Sequence, residues 1–238
     1  MRIIMNMATA ITTTPMDDLR QQLADALSMM ERAEVIDFNG HMSCRLPGTE
    51  HLLINAGKSV RSNLTAADVI AIDLDGKPLE GDRAPPMEFH LHSAIYRARP
   101  DVNAVAHTHP LWSTLFSSVG QAVQPVTMQA AVMGPVQSFE QTASINNRAL
   151  AEELARALGG HRVITLRSHG AVTVGGDIVE AFVLAIYLEE TARRQYLARA
   201  IGNPYVLTAE EVDSIGKNLR RPNLLRKVWD YHHARLKR

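Results

Sequence analysis

One cysteine, Cys44, in 238 residues leaves no partner for an internal disulfide and fits a reducing compartment. Basic and acidic residues balance at 25 each, so no net field of either sign recruits nucleic acid or an acidic membrane. No apolar run approaches the ~18 residues that a bilayer-spanning helix needs. Repeats and low-complexity tracts are missing, and no Gly-rich nucleotide loop follows any expected strand, which argues against a dinucleotide-binding fold. The opening MRIIMNMATAITTTP holds one arginine and no continuous apolar stretch, so residues 1–14 read as a flexible tail and not as a secretion signal. These absences predict a cytoplasmic protein with neither membrane nor nucleic-acid partner. The length suits a single domain over 1–238, large enough to bury a core without a covalent staple.

What is present is a mixture of short strands and helices. Residues 15–32 read as a helix opened by Pro15, with Asp17 and Asp18 at its positive end and Leu19, Leu23, Leu27 and Met30 along one face. FNGHMSCRL reads as a turn feeding a strand, HLLIN (51–55) as its partner, and VIAIDLDG as a strand closed by Asp75-Gly76. Thr65 caps the short turn before it. Pro85-Pro86 precede a helix over about 87–99, which Pro100 stops. VNAVAH (102–107) is a strand, followed by a helical stretch after Pro110. Leu150, Leu154 and Leu158 mark a helix ended by Gly159-Gly160, and HRVITL and AVTVGG are two further strands. Asp177 with Glu180, and Thr208 with Glu211, signal two helix starts. Strands joined by turns alone pair antiparallel, so one mixed or antiparallel sheet with helices on its faces is expected.

Ten histidines invite a search for chemistry. In AVAHTHP, His107 and His109 stand two apart, so both rings leave one face of a strand near its carboxyl end and can converge on an ion. His169, in LRSHG, follows the strand HRVITL at another strand end, where Gly170 permits a tight turn. Three neutral imidazoles leave coordination positions open, as catalytic ions require. Such a set accepts zinc, manganese, iron or cobalt, one ion per chain. Glu88 sits in the first turn of its helix with His92 four residues on, on the same face. By spacing alone a carboxylate there caps the helix. His90 points away from that face.

The order Asn39-Gly40, Ser43, then PMEFHLHSAIYRARPDVNAVAHTHP, then LRSHG before a long helix resembles the class II aldolase/adducin family over about residues 17–235. The resemblance implies a three-layer α/β/α sandwich around a mainly antiparallel sheet, assembled as a homotetramer with sites between subunits. It further implies His107, His109 and His169 as metal ligands and Glu88 as the catalytic glutamate, with His92 one turn behind it. The family's sugar-phosphate aldolases hold their anion with an asparagine, a threonine-glycine and a serine pair. Here those places read His41, Ala56-Gly57 and Pro86-Met87, and the aldolase tyrosine acid falls at Met128 or Gln129. Neither can protonate an alkoxide.

The family's aromatic decarboxylase branch, acting on dihydroxyphthalate-type and hydroxypyridine-dicarboxylate-type acids, is the more similar. It shares the Pro-x-Glu-x-x-x-His form, the HTHP motif and Arg167 before Ser168-His169. The segment AGKSVRS supplies Lys58, Ser59 and Arg61, and with His41 and Arg167 these are the expected contacts to a carboxylate substrate. The expected chemistry is decarboxylation of an ortho-hydroxy aromatic acid, with Glu88 transferring the proton and His92 orienting it. An aldolase or epimerase would use the same four residues. An oxygenase would consume oxygen, and a non-catalytic adducin-like scaffold would hold no metal.

Overall fold

The computed structural model describes residues 15–236; the expected tail over 1–14 lies outside them. Seven strands form one sheet: β1 (His41–Arg45), β2 (Leu52–Asn55), β3 (Val69–Ile72), β4 (Ala104–Thr108), β5 (Val136–Phe139), β6 (Val163–Leu166) and β7 (Gly170–Gly175). Their spatial order is β3-β2-β1-β4-β7-β6-β5. Five of the six pairings are antiparallel, and only β5 with β6 is parallel. The fold is the expected α/β sandwich with a mainly antiparallel sheet.

Among the described residues eight α-helices flank it: α1 (Met16–Arg32), α2 (Phe89–Ala98), α3 (Leu111–Ser118), α4 (Ala130–Met133), α5 (Arg148–Leu158), α6 (Ile178–Ile201), α7 (Ala209–Leu219) and α8 (Pro222–Leu236). Strand β5 was not expected: it is a half-exposed edge preceded by Gly134-Pro135, with little periodic apolar signal. Helix α8 was not expected either. Its buried anchors reduce to Leu225 and Trp229.

The two faces of the sheet carry separate cores. On one, α1 and the long α6 press Leu23, Leu27, Met30, Phe182 and Leu188 against Met42, Cys44 and Ala106. On the other, α2 and α5 press Leu91, Ile95, Leu154 and Leu158 against Ile54, Val105 and Val172. Each fully buried Leu or Ile contributes about 1.5–3 kcal/mol, so apolar packing clamps α2 and fixes whatever polar groups it carries. The alternation along β1 decides which residues face α2: Met42 and Cys44 belong to the α1/α6 core, so His41 and Ser43 turn to the opposite face.

The caps follow the sequence with one difference. The Thr208–Glu211 capping box forms, with Glu211 N donating to Thr208 Oγ1 and Thr208 N to the Glu211 carboxylate. Asp177 accepts from Glu180 N at 2.7 Å, but the Glu180 carboxylate takes Gly176 N instead of closing the box.

Candidate metal centre

Strand β4 places His107 at the middle of the sheet, fully buried, directly opposite His41 of β1 and Val172 of β7. His109 lies just past the end of β4. His169 stands in the turn from β6 to β7, where Ser168 adopts a left-handed conformation (φ 54°) that a non-glycine residue seldom takes. Gly170 is required there: a Cβ on it would lie 2.2 Å from the Thr108 carbonyl oxygen. The bare glycine lets β7 close on β4 and brings the histidine pair and His169 together.

The result is a cluster in which one ligand atom each from Glu88, His107, His109 and His169 lies within 4.8 Å of every other. His107 Nε2 is 3.0 Å from His109 Nε2 and 3.3 Å from Glu88 Oε2. His169 Nε2 is 3.6 Å from Glu88 Oε1. His107 Nδ1 donates to the Ala171 carbonyl at 3.1 Å, which fixes the proton on that nitrogen and leaves Nε2 a bare lone pair. His109 Nδ1 faces Asp37 Oδ1 at 3.6 Å, and Asp37 is held by an Asx turn to Asn39 N. With that proton toward Asp37, two lone pairs and a carboxylate oxygen converge on one point.

Such a convergence repels itself unless a cation occupies the centre. Bonds of about 2.0–2.1 Å at tetrahedral to right angles put ligand atoms roughly 2.9–3.4 Å apart. The observed 3.0 and 3.3 Å fit that spacing. The donor set therefore fits a divalent ion of borderline softness.

The electrostatics agree. Burial holds His109 down to about 4, helped by its neighbours His107 and His169. His169 is also lowered, by burial first and His107 second. Both are neutral near pH 7, the form that ligates. Burial alone would raise Glu88, but the facing imidazoles of His107 and His41 outweigh it, and the carboxyl is held below its usual range.

The first-turn position of Glu88 does not make it a cap. It occupies the N-cap of α2 with no side-chain cap bond. Its Oε1 instead accepts from Ser144 Oγ at 2.8 Å and Ile145 N at 2.7 Å, across the molecule in the segment before α5. Oε2 is left toward the histidines.

A cleft of about 960 Å³ opens beside the cluster, lined by Asn39, His41, Lys58, Arg61, Glu88, His109 and His169 among others. Of the expected substrate contacts, it gathers Lys58, Arg61 and His41. It does not gather the other two. Ser59 is buried, donating to the Ala56 carbonyl and accepting from Arg61 Nη1 at 2.8 Å, so it braces Arg61. Arg167 pairs with Glu140 at the far end of β5, because the αL turn that aims His169 inward turns its neighbour outward. His92 also differs from expectation. Its Nε2 meets His41 Nδ1 at 2.7 Å and its Nδ1 meets Ser43 Oγ at 2.6 Å, so it reaches Glu88 only through His41.

Comparison with known proteins bears on the family and the fold. The profile described as Class II Aldolase and Adducin N-terminal domain matches residues 21–196; the chain belongs to that family. A 3,4-dihydroxyphthalate decarboxylase of Terrabacter sp. (strain DBF63) is 32% identical over 212 residues, 82% of this chain and 88% of that protein. An L-fuculose phosphate aldolase of Methanococcus maripaludis (strain C7) is 31% identical over 169 residues, 71% of this chain and 91% of that protein. Among solved structures, an aldolase II superfamily protein from Pseudomonas syringae superposes with a TM-score of 0.82 at 25% identity, covering 93% of this chain and 92% of its own. The relatives are lyases of two kinds, and among the described residues no helix is long and apolar enough to cross a membrane.

Proposed function

We propose that the protein is a divalent-metal-dependent carbon–carbon lyase that decarboxylates an ortho-hydroxy aromatic or heteroaromatic acid. The observation that supports this over sugar-phosphate cleavage is the wall of the cleft. A phosphate dianion needs several converging donors, often backbone amides at a helix start. Here the amides of Gly57, Ser59 and Phe89 are committed to the carbonyls of Ala84, Ala56 and Pro86. Pro86 has no N–H, and Ala56 and Met87 offer no hydroxyl. What the cleft offers is flat apolar surface from Pro85, Pro86 and Met87, with Lys58 and Arg61 beside it. Methionine lies well against a ring, and the two cations suit carboxylates.

In this reading His107, His109 and His169 hold the ion, whose charge would stabilise negative charge developing on the substrate's hydroxyl oxygen. Lys58 and Arg61 bind carboxylate groups and fix the ring over Met87. Glu88, ionised in the resting site, takes the hydroxyl proton on Oε2 and returns it to the ring carbon that bears the carboxylate. That carbon becomes tetrahedral and the oxygen becomes a ketone. The bond to the carboxylate then breaks, carbon dioxide leaves, and the electron pair restores the ring. The product oxygen regains a proton from water. Zinc, manganese, iron or cobalt suits the ligand set.

The same proposal includes one domain over 1–238, a cytoplasmic location and self-association as a homotetramer. Supporting the last, Leu111, Leu115 and Val119 expose an apolar row at four-residue spacing along α3. Mass in solution tests the assembly.

The test of function is turnover by metal-loaded protein on a panel of ortho-hydroxyaryl mono- and diacids, followed by carbon dioxide release. L-fuculose 1-phosphate and ribulose-type phosphates run in parallel, followed by aldehyde release. Carbon dioxide from a diacid, with Arg61→Ala raising KM for it more than for its monoacid, is the expected result. Efficient aldehyde release with no carbon dioxide from any acid would overturn the reading in favour of an aldolase.

A further inference from the structure

Two residues that the site reading leaves unused, Ser43 and Tyr96, are buried directly behind it. Helix α2 and its N-cap carry Glu88, His92 and Tyr96 at four-residue intervals, so the three side chains stack along one helix face. Strand β1 presents His41 and Ser43 two apart, on the sheet face opposite Met42 and Cys44. The two rows interlock. Tyr96 Oη lies 2.8 Å from Ser43 Oγ, Ser43 Oγ 2.6 Å from His92 Nδ1, and His92 Nε2 2.7 Å from His41 Nδ1. His41 Nε2 then faces Glu88 Oε2 at 3.8 Å.

The protons in this row have one consistent direction. Glu88 is ionised and accepts only, so His41 turns its N–H to Glu88 and leaves Nδ1 as an acceptor. His92 then donates from Nε2 and accepts at Nδ1, the Ser43 hydroxyl donates to His92, and the Tyr96 hydroxyl donates to Ser43. Each group carries one proton and each link holds one. Reversing any single link sets two donors or two acceptors face to face in a buried site, leaving polar groups unsatisfied.

The geometry points to a positioning relay, Tyr96–Ser43–His92–His41, that locks His41 with its Nε2–H aimed at Glu88. The inference rests on the reading of Glu88 as the acid–base group. It makes His41 a positioning residue for that carboxylate, and Ser43 and Tyr96 remote members of the same device. At 3.8 Å the last gap exceeds a hydrogen bond. His41 therefore acts on Glu88 as an oriented dipole. Only a fully satisfied polar row is tolerated in a core whose alternative is apolar packing. Leu91 and Ile95 of the same helix, one residue before His92 and Tyr96, are that alternative.

The test uses full-length protein and any carbon–carbon cleavage substrate it turns over, so that failure of the decarboxylase reading leaves it intact. His92→Leu should lower kcat about 10–100-fold, the usual effect of removing an outer-shell partner, with KM and bound metal unchanged. Ser43→Ala should lower kcat several-fold and Tyr96→Phe less, and Ser43→Thr should restore it. Adding His92→Leu to His41→Ala should cost nothing further, since His92 acts through His41. Independently of turnover, nitrogen chemical shifts of histidine-labelled, metal-free protein should show His41 and His92 both as Nε2–H tautomers. An Nδ1–H proton on either ring, or additive losses in the double variant, overturns the relay. Should His92→Leu not fold, Ser43→Ala decides: wild-type kcat in that variant overturns it as well.

Discussion

Among the described residues Glu189 is buried and Glu88 partly buried, and the two glutamates are used in opposite ways. Glu189 of α6 sits under the start of α3. Its Oε1 accepts from Trp112 N at 2.7 Å, and its Oε2 from Ser113 N at 3.0 Å and Ser113 Oγ at 3.1 Å. Both oxygens are matched by ordinary donors, and the carboxylate finishes a helix. Burial raises its pKa even so. Glu88 begins the same way, with Ser144 and Ile145 on Oε1, but its Oε2 is handed to two histidines, His41 and His107, and its pKa moves down. The difference is between a buried charge whose bonds are complete and one whose last oxygen is kept for something not part of the chain. A structural carboxylate closes its own account of hydrogen bonds; a working one leaves it open.

The sharpest way to break the comparison is to take away what Glu88 waits for. His107→Ala, His109→Ala and His169→Ala should each abolish stable binding of a divalent ion, and activity with it, while the protein stays folded. Metal analysis after dialysis reads this directly, and full occupancy in His169→Ala would remove the third ligand. Next in size, Glu88→Gln should keep ion and fold but lower turnover by about 10²–10⁴. Turnover within a few fold of wild type would make Glu88 a second Glu189. The reciprocal change, Glu189→Ala, should leave kcat unaltered and lower unfolding stability by roughly 1.5–3 kcal/mol, as expected for lost bonds to a charged group. Denaturant titration measures that, and lost activity in a fully folded Glu189→Ala protein would erase the distinction.

The smallest expected effect concerns pH. Burial, partly opposed by Glu88, holds His41 down to about 3, and burial with neighbouring His107 and His169 holds His109 down to about 4. The unfolded chain takes up these protons near 6.5. Below that pH the unfolded state therefore binds more protons, so acidification from about 6.5 toward 4 lowers the stability of metal-free protein. Unfolding midpoints at pH 7 and pH 5 test the sign, and His41→Gln should flatten the slope.

Much of this was legible in the sequence, for reasons that differ by residue. His107 and His109 declare themselves because a two-residue spacing has one meaning in a strand. His169 stood out by its strand-end position and Glu88 came through family motif, and only the fold brings them within 4.8 Å of the others. Spacing misjudged Glu88 as a cap because the competing donors, Ser144 and Ile145, stand more than fifty residues away. Arg167 came through the family motif and Ser59 through its place in AGKSVRS, yet the turns that carry them send neighbouring side chains apart. Ser43 and Tyr96 did leave a trace: the Glu-x3-His-x3-Tyr row on α2 and His-x-Ser on β1 have matching periods. What the trace lacked was the partner, since β1 and α2 meet only in three dimensions.

Gly170 leads to one last consequence. Because its missing side chain lets β7 rest on the Thr108 carbonyl, the three imidazoles are spaced by main chain against main chain. Glu88, by contrast, hangs from the N-cap of a helix, an end that frays. In an amide exchange experiment the ion's cradle should be among the slowest regions to open, and the start of α2 among the faster. Descent with new substrates has an easy route in such a molecule. The reach and company of the carboxylate, and the loops around residues 57–61 and 82–87, can drift while the ion's seat stays fixed.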